Sequence, residues 1–210
     1  MKKFILVLVL VAMVGAGAFA LDISVGGGAM LDYSFNNGLK YDPIDYYIGT
    51  RHMSIAALAF FDFTYLEVDI SIGYGSLSWK EELLSYSDTW SDGDGMIELG
   101  ISLLLKYPIV MNRMVFFPFA GINYNAVLSW WDDYADSYDN NSDLNQFGIL
   151  VGIGFDNYIN DNLYFRVEAG VNFRFASKLQ DDLNKYLSGG DLDTTIGIGP
   201  RVKLGIGTYF

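Results

Sequence analysis

The chain has 210 residues, 51% of them hydrophobic, with no Cys and a formal net charge of −12. Without Cys there is neither a disulfide framework nor a thiol to carry the acyl chain of a lipoprotein anchor. The acidic balance argues against nucleic acid as a partner, since a phosphate backbone is bound by clustered Lys and Arg.

Residues 1–20, MKKFILVLVLVAMVGAGAFA, set Lys2 and Lys3 before an apolar run and end on Ala18-Phe19-Ala20. That is the charged region, apolar region and small-residue cleavage site of a secretory signal peptide. The small-residue end and the polar alternation that begins at Asp22 speak against a membrane anchor. Residues 21–210 then form one mature domain by length. Losing Lys2 and Lys3 leaves 11 Lys+Arg against 25 Asp+Glu, a net charge of −14.

From residue 22 onward the hydrophobic period is two rather than 3.6, the signature of strands with two unlike faces. The alternation predicts eight strands, at 22–34, 52–62, 65–78, 95–107, 114–128, 146–157, 163–176 and 194–210. In 163–175, Leu163, Phe165, Val167, Ala169, Val171, Phe173 and Phe175 share one face. Tyr164, Arg166, Glu168, Gly170, Asn172 and Arg174 share the other. The only stretch resembling a membrane helix, 99–122, is broken by Lys106, Pro108, Asn112, Arg113 and Pro118, and a span needs about 20 mostly apolar residues. Asn112-Arg113 reads as a turn. Pro118 and Pro200 fall inside strands with no donor for the ladder, so a local bulge is expected there.

The connections near 63–64, 108–113 and 158–162 are short. Those at 35–51, 79–94, 129–145 and 177–193 are long and polar. Strands of this length with alternating short turns and long loops fit an all-β, closed, eight-stranded antiparallel up-and-down transmembrane barrel with periplasmic turns and external loops. Both mature termini lie on the turn side. A soluble carrier barrel alternates too, with its apolar face inward. The strand charges weigh between the two. Asp32, Glu67, Asp69, Glu98, Lys106, Arg166, Glu168, Arg174, Arg201 and Lys203 all oppose the apolar face, five acids against five bases. A neutral polar face suits an enclosed lumen, where each charge needs a partner. Val202, Leu204, Ile206 and Phe210 then face lipid, while Arg201 and Lys203 face the lumen. Counting from the loops, Glu168 is expected opposite Arg201, Lys106 opposite Glu67, and Arg174 near Asp32 or Glu98.

With its leader, eight alternating segments, loop rhythm and terminal GIGTYF, the sequence over 21–210 resembles the small eight-stranded outer-membrane barrels of the OmpA-like transmembrane class. The resemblance implies a monomer in the bacterial outer membrane, surrounded by its lipids. It also implies a terminal Phe210, preceded by Thr208, Ile206 and Leu204, read by the barrel-assembly machinery. No periplasmic peptidoglycan-binding domain follows, so cell-wall anchoring is not implied.

Further candidates are weaker. His52 and Ser54 form an H-x-S pair similar to that of outer-membrane deacylases acting on lipid A, which carry Glu twelve residues after the Ser. Here that position is Leu66, with Glu67 beside it. His52 is expected at the external rim and Glu67 at the far end, too far apart for catalysis. The five Asp of 130–143 and the two of 91–95 offer carboxylates but lack EF-hand spacing. Trp79, Trp90, Trp130 and Trp131 suit an interfacial girdle or a glycan- or protein-binding platform. Leu179, Leu183 and Leu187 have helical spacing. No cofactor, metal or catalytic set is expected. The expectation is a non-enzymatic surface protein with a structural or adhesion-like role, with a lipid-modifying enzyme or a small pore as the alternatives.

Overall fold

The computed structural model describes residues 23–41, 46–83, 86–87, 94–131, 145–175 and 196–210. Eight long strands build the wall: β1 (Ile23–Tyr41), β2 (Tyr46–Phe63), β3 (Leu66–Leu83), β5 (Asp94–Lys106), β7 (Met114–Trp131), β8 (Gln146–Tyr158), β9 (Leu163–Phe175) and β10 (Ile196–Tyr209). Two short ones, β4 (Tyr86–Ser87) and β6 (Ile109–Met111), pair only with β3 and β7. Each long strand is antiparallel to its neighbours in chain order. β10 returns to β1, from Ser24 opposite Tyr209 to Phe35 opposite Ile198. The ladder therefore closes on itself and leaves no edge along the wall.

The polarity is inverted relative to a water-soluble barrel. Along β10, Gly197, Arg201, Lys203, Gly205 and Gly207 point inward and alternate with exposed Ile196, Ile198, Val202, Leu204 and Ile206. Around the wall Ile55, Ile72, Leu105, Ile153 and Ile206 stand outside, while Asp32, Glu67, Arg166 and Lys203 are enclosed. A soluble carrier would do the reverse. The strands, of 13 to 19 residues, exceed the 9–11 that a tilted membrane strand needs. This is a transmembrane barrel.

The strands outrun the expected segments. Most of 35–51 belongs to the β1–β2 ladder, with only 42–45 outside the described residues and an irregularity between Asn36 and Leu39. β3 likewise continues to Leu83 and β7 to Trp131. Beyond the hydrocarbon neither face need be apolar, so backbone pairing persists where the alternation stops. Residues 1–22, the acidic stretch 132–143, Trp90 and the leucines of 178–187 lie outside the described residues, as do the side chains of Trp79, Trp130 and Trp131.

The tight turns cluster at one end. Thr64 and Asn112 take positive φ, 63° and 55°, a conformation that Asn tolerates better than most residues. Asn160 Oδ1 accepts from the amides of Asn162 and Leu163 at 3.0 and 2.8 Å, tying down the third turn. The Phe210 amide donates to the Ile23 carbonyl at 3.1 Å at that same end.

Both prolines sit where the ladder is interrupted, and this replaces the bulge expected from the sequence. Pro118 pairs with Ile153 on one side. On the other it faces the break between Lys106 and Ile109, where β5 gives way to β6, and its carbonyl accepts from the Tyr107 amide at 3.1 Å. The donor it lacks would have pointed into that gap. Pro200 keeps its place opposite Val171. The β1–β10 pairing, however, skips from Asp32–Arg201 to Phe35–Ile198 without a change of register. Proline thus coincides in each case with a missing rung.

Inside, the half nearer the tight turns is filled by rings: Phe60, Phe117, Phe119 and Tyr164, with Leu104 and Leu150. Glycines on facing strands make the room. A Cβ at Gly154 would overlap the Phe117 ring, and one at Gly26 the ring of Phe60.

Candidate functional site

The enclosed charges form two tiers. The lower tier, nearer the tight turns, is organised by Arg166 on β9, which is fully buried. Its Nε and Nη2 donate to the two Asp156 oxygens, both at 2.6 Å. Nη2 also reaches Asp62 Oδ2 at 2.6 Å, and Nη1 bonds Glu67. Its guanidinium lies over the rings of Phe60, Tyr164 and Phe117 at 4.9, 5.0 and 5.1 Å. The planar fork satisfies three carboxylates while its faces stack on aromatics, an arrangement a Lys could not reproduce. Below it Tyr158, Tyr164 and Tyr209 pack together, and Ser24 bonds the Tyr164 hydroxyl at 2.7 Å.

Two lysines complete this tier. Lys106 bonds Asp62 and lies 3.4 Å from Glu67, with its ammonium 4.5 Å from the Phe117 ring centre. Lys203 bonds Glu67 and, at 2.8 Å, Asp69, and its ammonium stands 3.1 Å from Glu168 Oε1 without a hydrogen bond to it. The oxygens of those three acids lie within 4.8 Å of one another. The cation they surround is the chain's own ammonium.

The upper tier continues toward the long connections. Arg201 reaches Asp69 at 3.2 Å and Ser102 at 2.9 Å. Arg174 contacts Asp32 at 3.0 Å, Gln146 at 2.7 Å and His52 Nδ1 at 2.9 Å. His52 Nε2 lies 2.8 Å from Glu98. Asn172 donates to Asp32 at 3.1 Å. Breaking one partner of such a buried network strands a charge, at about 3–5 kcal/mol where the lumen is dry.

All ten charges expected on the inner face lie there, and three details differ from expectation. Glu168 meets Lys203 and not Arg201, because the register sets Glu168 against Lys203 and Arg201 against Gly170. Phe175 pairs with Ile196, two residues off the level that a count from the loop ends gives. Next, the inner face is not neutral, since Asp62 and Asp156 also point inward and are buried. Each stands beside a turn and reads as a turn residue, although its parity matches its inward neighbours Phe60 and Gly154. Finally, His52 is no rim side chain. It is 3% exposed and clamped between Glu98 and Arg174. Glu67 pairs with Asp62, ten residues along β2 from His52, or roughly 33 Å at a strand's rise. The H-x-S pair and that Glu are not assembled into a deacylase site.

The closed ladder and the inverted polarity define a class: a small, eight-stranded, antiparallel transmembrane barrel with an ion-paired interior. No protein-family model matches the chain, and no curated protein matches it. Among solved structures it is similar to the outer membrane protein OprG from Pseudomonas aeruginosa, at 14% identity and a TM-score of 0.49 over 91% of this chain and 96% of that one. It is also similar to Neisserial surface protein A, at 10% and 0.47 over 90% and 97%. A third likeness is to the N-terminal β-barrel domain of Pseudomonas aeruginosa OprF, at 11% and 0.34 over 88% and 99%.

Proposed function

We propose that the chain is a monomeric, non-enzymatic outer-membrane barrel. Its lumen is sealed, and its work is done by the long acidic, aromatic-rich connections that it holds outside the cell, in a structural or adhesion-like role toward a protein or glycan. The observation that supports this best is the lower tier. Arg166, bonded to carboxylates on three other strands and flanked by three rings, occupies the cross-section that a solute path would use. A barrel of eight strands is just wide enough to be filled by side chains. His52, engaged by Glu98 and Arg174 and remote from Glu67, gives no support to a lipid-modifying reading. Planar-bilayer recording of purified protein tests the seal. The expected result is no stable conductance, and large porin-sized steps would replace this reading with a pore. Pull-down with connection-deleted variants against intact protein then identifies the ligand.

A further inference from the structure

The lumen charges do not balance. Among the described residues seven carboxylates are buried there: Asp32, Asp62, Glu67, Asp69, Glu98, Asp156 and Glu168. Five permanent cations answer them: Lys106, Arg166, Arg174, Arg201 and Lys203. His52 adds none in this geometry. Arg174 Nη1, 2.9 Å from Nδ1, can only donate, so Nδ1 is the bare nitrogen and Nε2 the one that donates to Glu98. Two negative charges are left over.

Their location follows from the contacts. In the upper tier Asp32 is ion-paired with Arg174, and Glu98 takes the N–H of His52. The lower tier sets five acids against Lys106, Arg166, Lys203 and Arg201, whose ion pair is with Asp69, so one of the two surplus charges lies here. Asp62 and Asp156 are hydrogen-bonded to Arg166. Glu67 bonds Arg166 and Lys203 and lies near Lys106, while Asp69 has Lys203 and Arg201. Glu168 is the least compensated. Its ammonium at 3.1 Å is shared with Glu67 and Asp69, and Arg166 stands 3.8 Å away, beyond hydrogen-bond reach. Its Oε1 accepts no hydrogen bond although the residue is 4% exposed. Its cross-strand neighbours are Lys203 and Gly154, so the paired strands bring it no other charge.

We propose that the lower tier binds one further unit of positive charge at Glu168, either a small monovalent cation such as Na⁺ or a proton. An uncompensated carboxylate in a closed lumen is costly, and a counter-charge taken from solvent removes that cost. Neutralisation of Glu168 is the chemistry common to both sources.

The test is thermal unfolding of the refolded protein in micelles, wild type beside Glu168→Gln. Sodium is titrated against N-methylglucamine at fixed pH and ionic strength, and pH is varied with no sodium present. A ligand bound only by the folded state raises the folded-to-unfolded ratio about tenfold per decade above its dissociation constant. Wild type should show that extra slope in one arm, with either rising sodium or falling pH, and the responding arm names the source. Glu168→Gln, neutral and of the same shape, should fold at least as stably at neutral pH and lose the slope. Glu67→Gln, which deprives three cations of a partner, should be less stable than either. The proposal is overturned if Glu168→Gln fails to fold, is as unstable as Glu67→Gln, or keeps the wild-type slope in both arms. It is equally overturned if wild type shows the extra slope in neither.

Discussion

Replacing Arg166 with Met is the most demanding perturbation the lumen offers. Met approximates the aliphatic stem and can lie against Phe60 and Phe117, so volume changes little. What vanishes is the guanidinium that bonds Asp62, Glu67 and Asp156. Glu67 keeps Lys203 and Lys106, and Asp62 keeps Lys106, but Asp156 loses the fork that holds both of its oxygens. Leaving a buried charge unpaired costs about 3–5 kcal/mol, a drop in the folded-to-unfolded ratio of roughly two to three and a half orders of magnitude at about 1.4 kcal/mol per tenfold. Guanidinium unfolding in lipid vesicles, followed by the change in mobility between folded and unfolded forms on gels, measures it. Adding Asp156→Asn to Arg166→Met should restore part of the loss, since the stranded charge is removed with its partner. A loss below about 1 kcal/mol, the range of solvated ion pairs, with no rescue from the second change, would refute the dry plug and show that water reaches this tier.

Deleting Phe210, or replacing it with Asp, should reduce insertion and leave periplasmic aggregate, as fractionation and heat-modifiability would report; wild-type insertion in the deletion would remove the assembly role given to this residue. Protease added to intact cells should cut among 42–45, 84–93, 132–144 or 176–195 and spare 64–65, 107–113 and 159–162, and cleavage confined to the second set would invert the topology. Gly154→Ala should cost about 1–3 kcal/mol, because the new methyl group meets the Phe117 ring; an unchanged unfolding midpoint would mean that the ring is free to move.

The wall was legible because hydrocarbon and lumen impose opposite demands on successive residues, and Leu163 to Phe175 record that with no ambiguity. Where one demand lapses, so does the signal. The hairpin beyond Asn36 lies past the hydrophobic belt and read as loop. Asp62 was hidden because AALAFF is apolar on both faces, so parity around it carried little weight. His52 was misplaced for a related reason: with 35–51 taken as a loop, residue 52 became a rim position, while continued pairing puts it well inside. Heights across the lumen needed the register. An error of two residues between β9 and β10 exchanged Arg201 for Lys203 as the partner of Glu168. The two prolines became intelligible only once the break after Lys106 and the skipped β1–β10 rungs were seen, since neither leaves a mark on local sequence.

The inward charges are sorted along the chain. The first four wall strands contribute Asp32, Asp62, Glu67, Asp69 and Glu98 against a single Lys106. The last four contribute Arg166, Arg174, Arg201 and Lys203 against Asp156 and Glu168. Each half is therefore a self-repelling sheet, and each supplies what the other lacks. Their two junctions are the β5–β7 ladder and the distant seam where residue 24 meets 209. Closing such a separation is slow, since the loop entropy is lost before the contacts form. Opposite fields on the two half-cylinders attract across that distance, and they penalise a misaligned closure, because sliding one strand by a residue would turn its charges into lipid. A complete circumference thus brings each half the charges that it lacks.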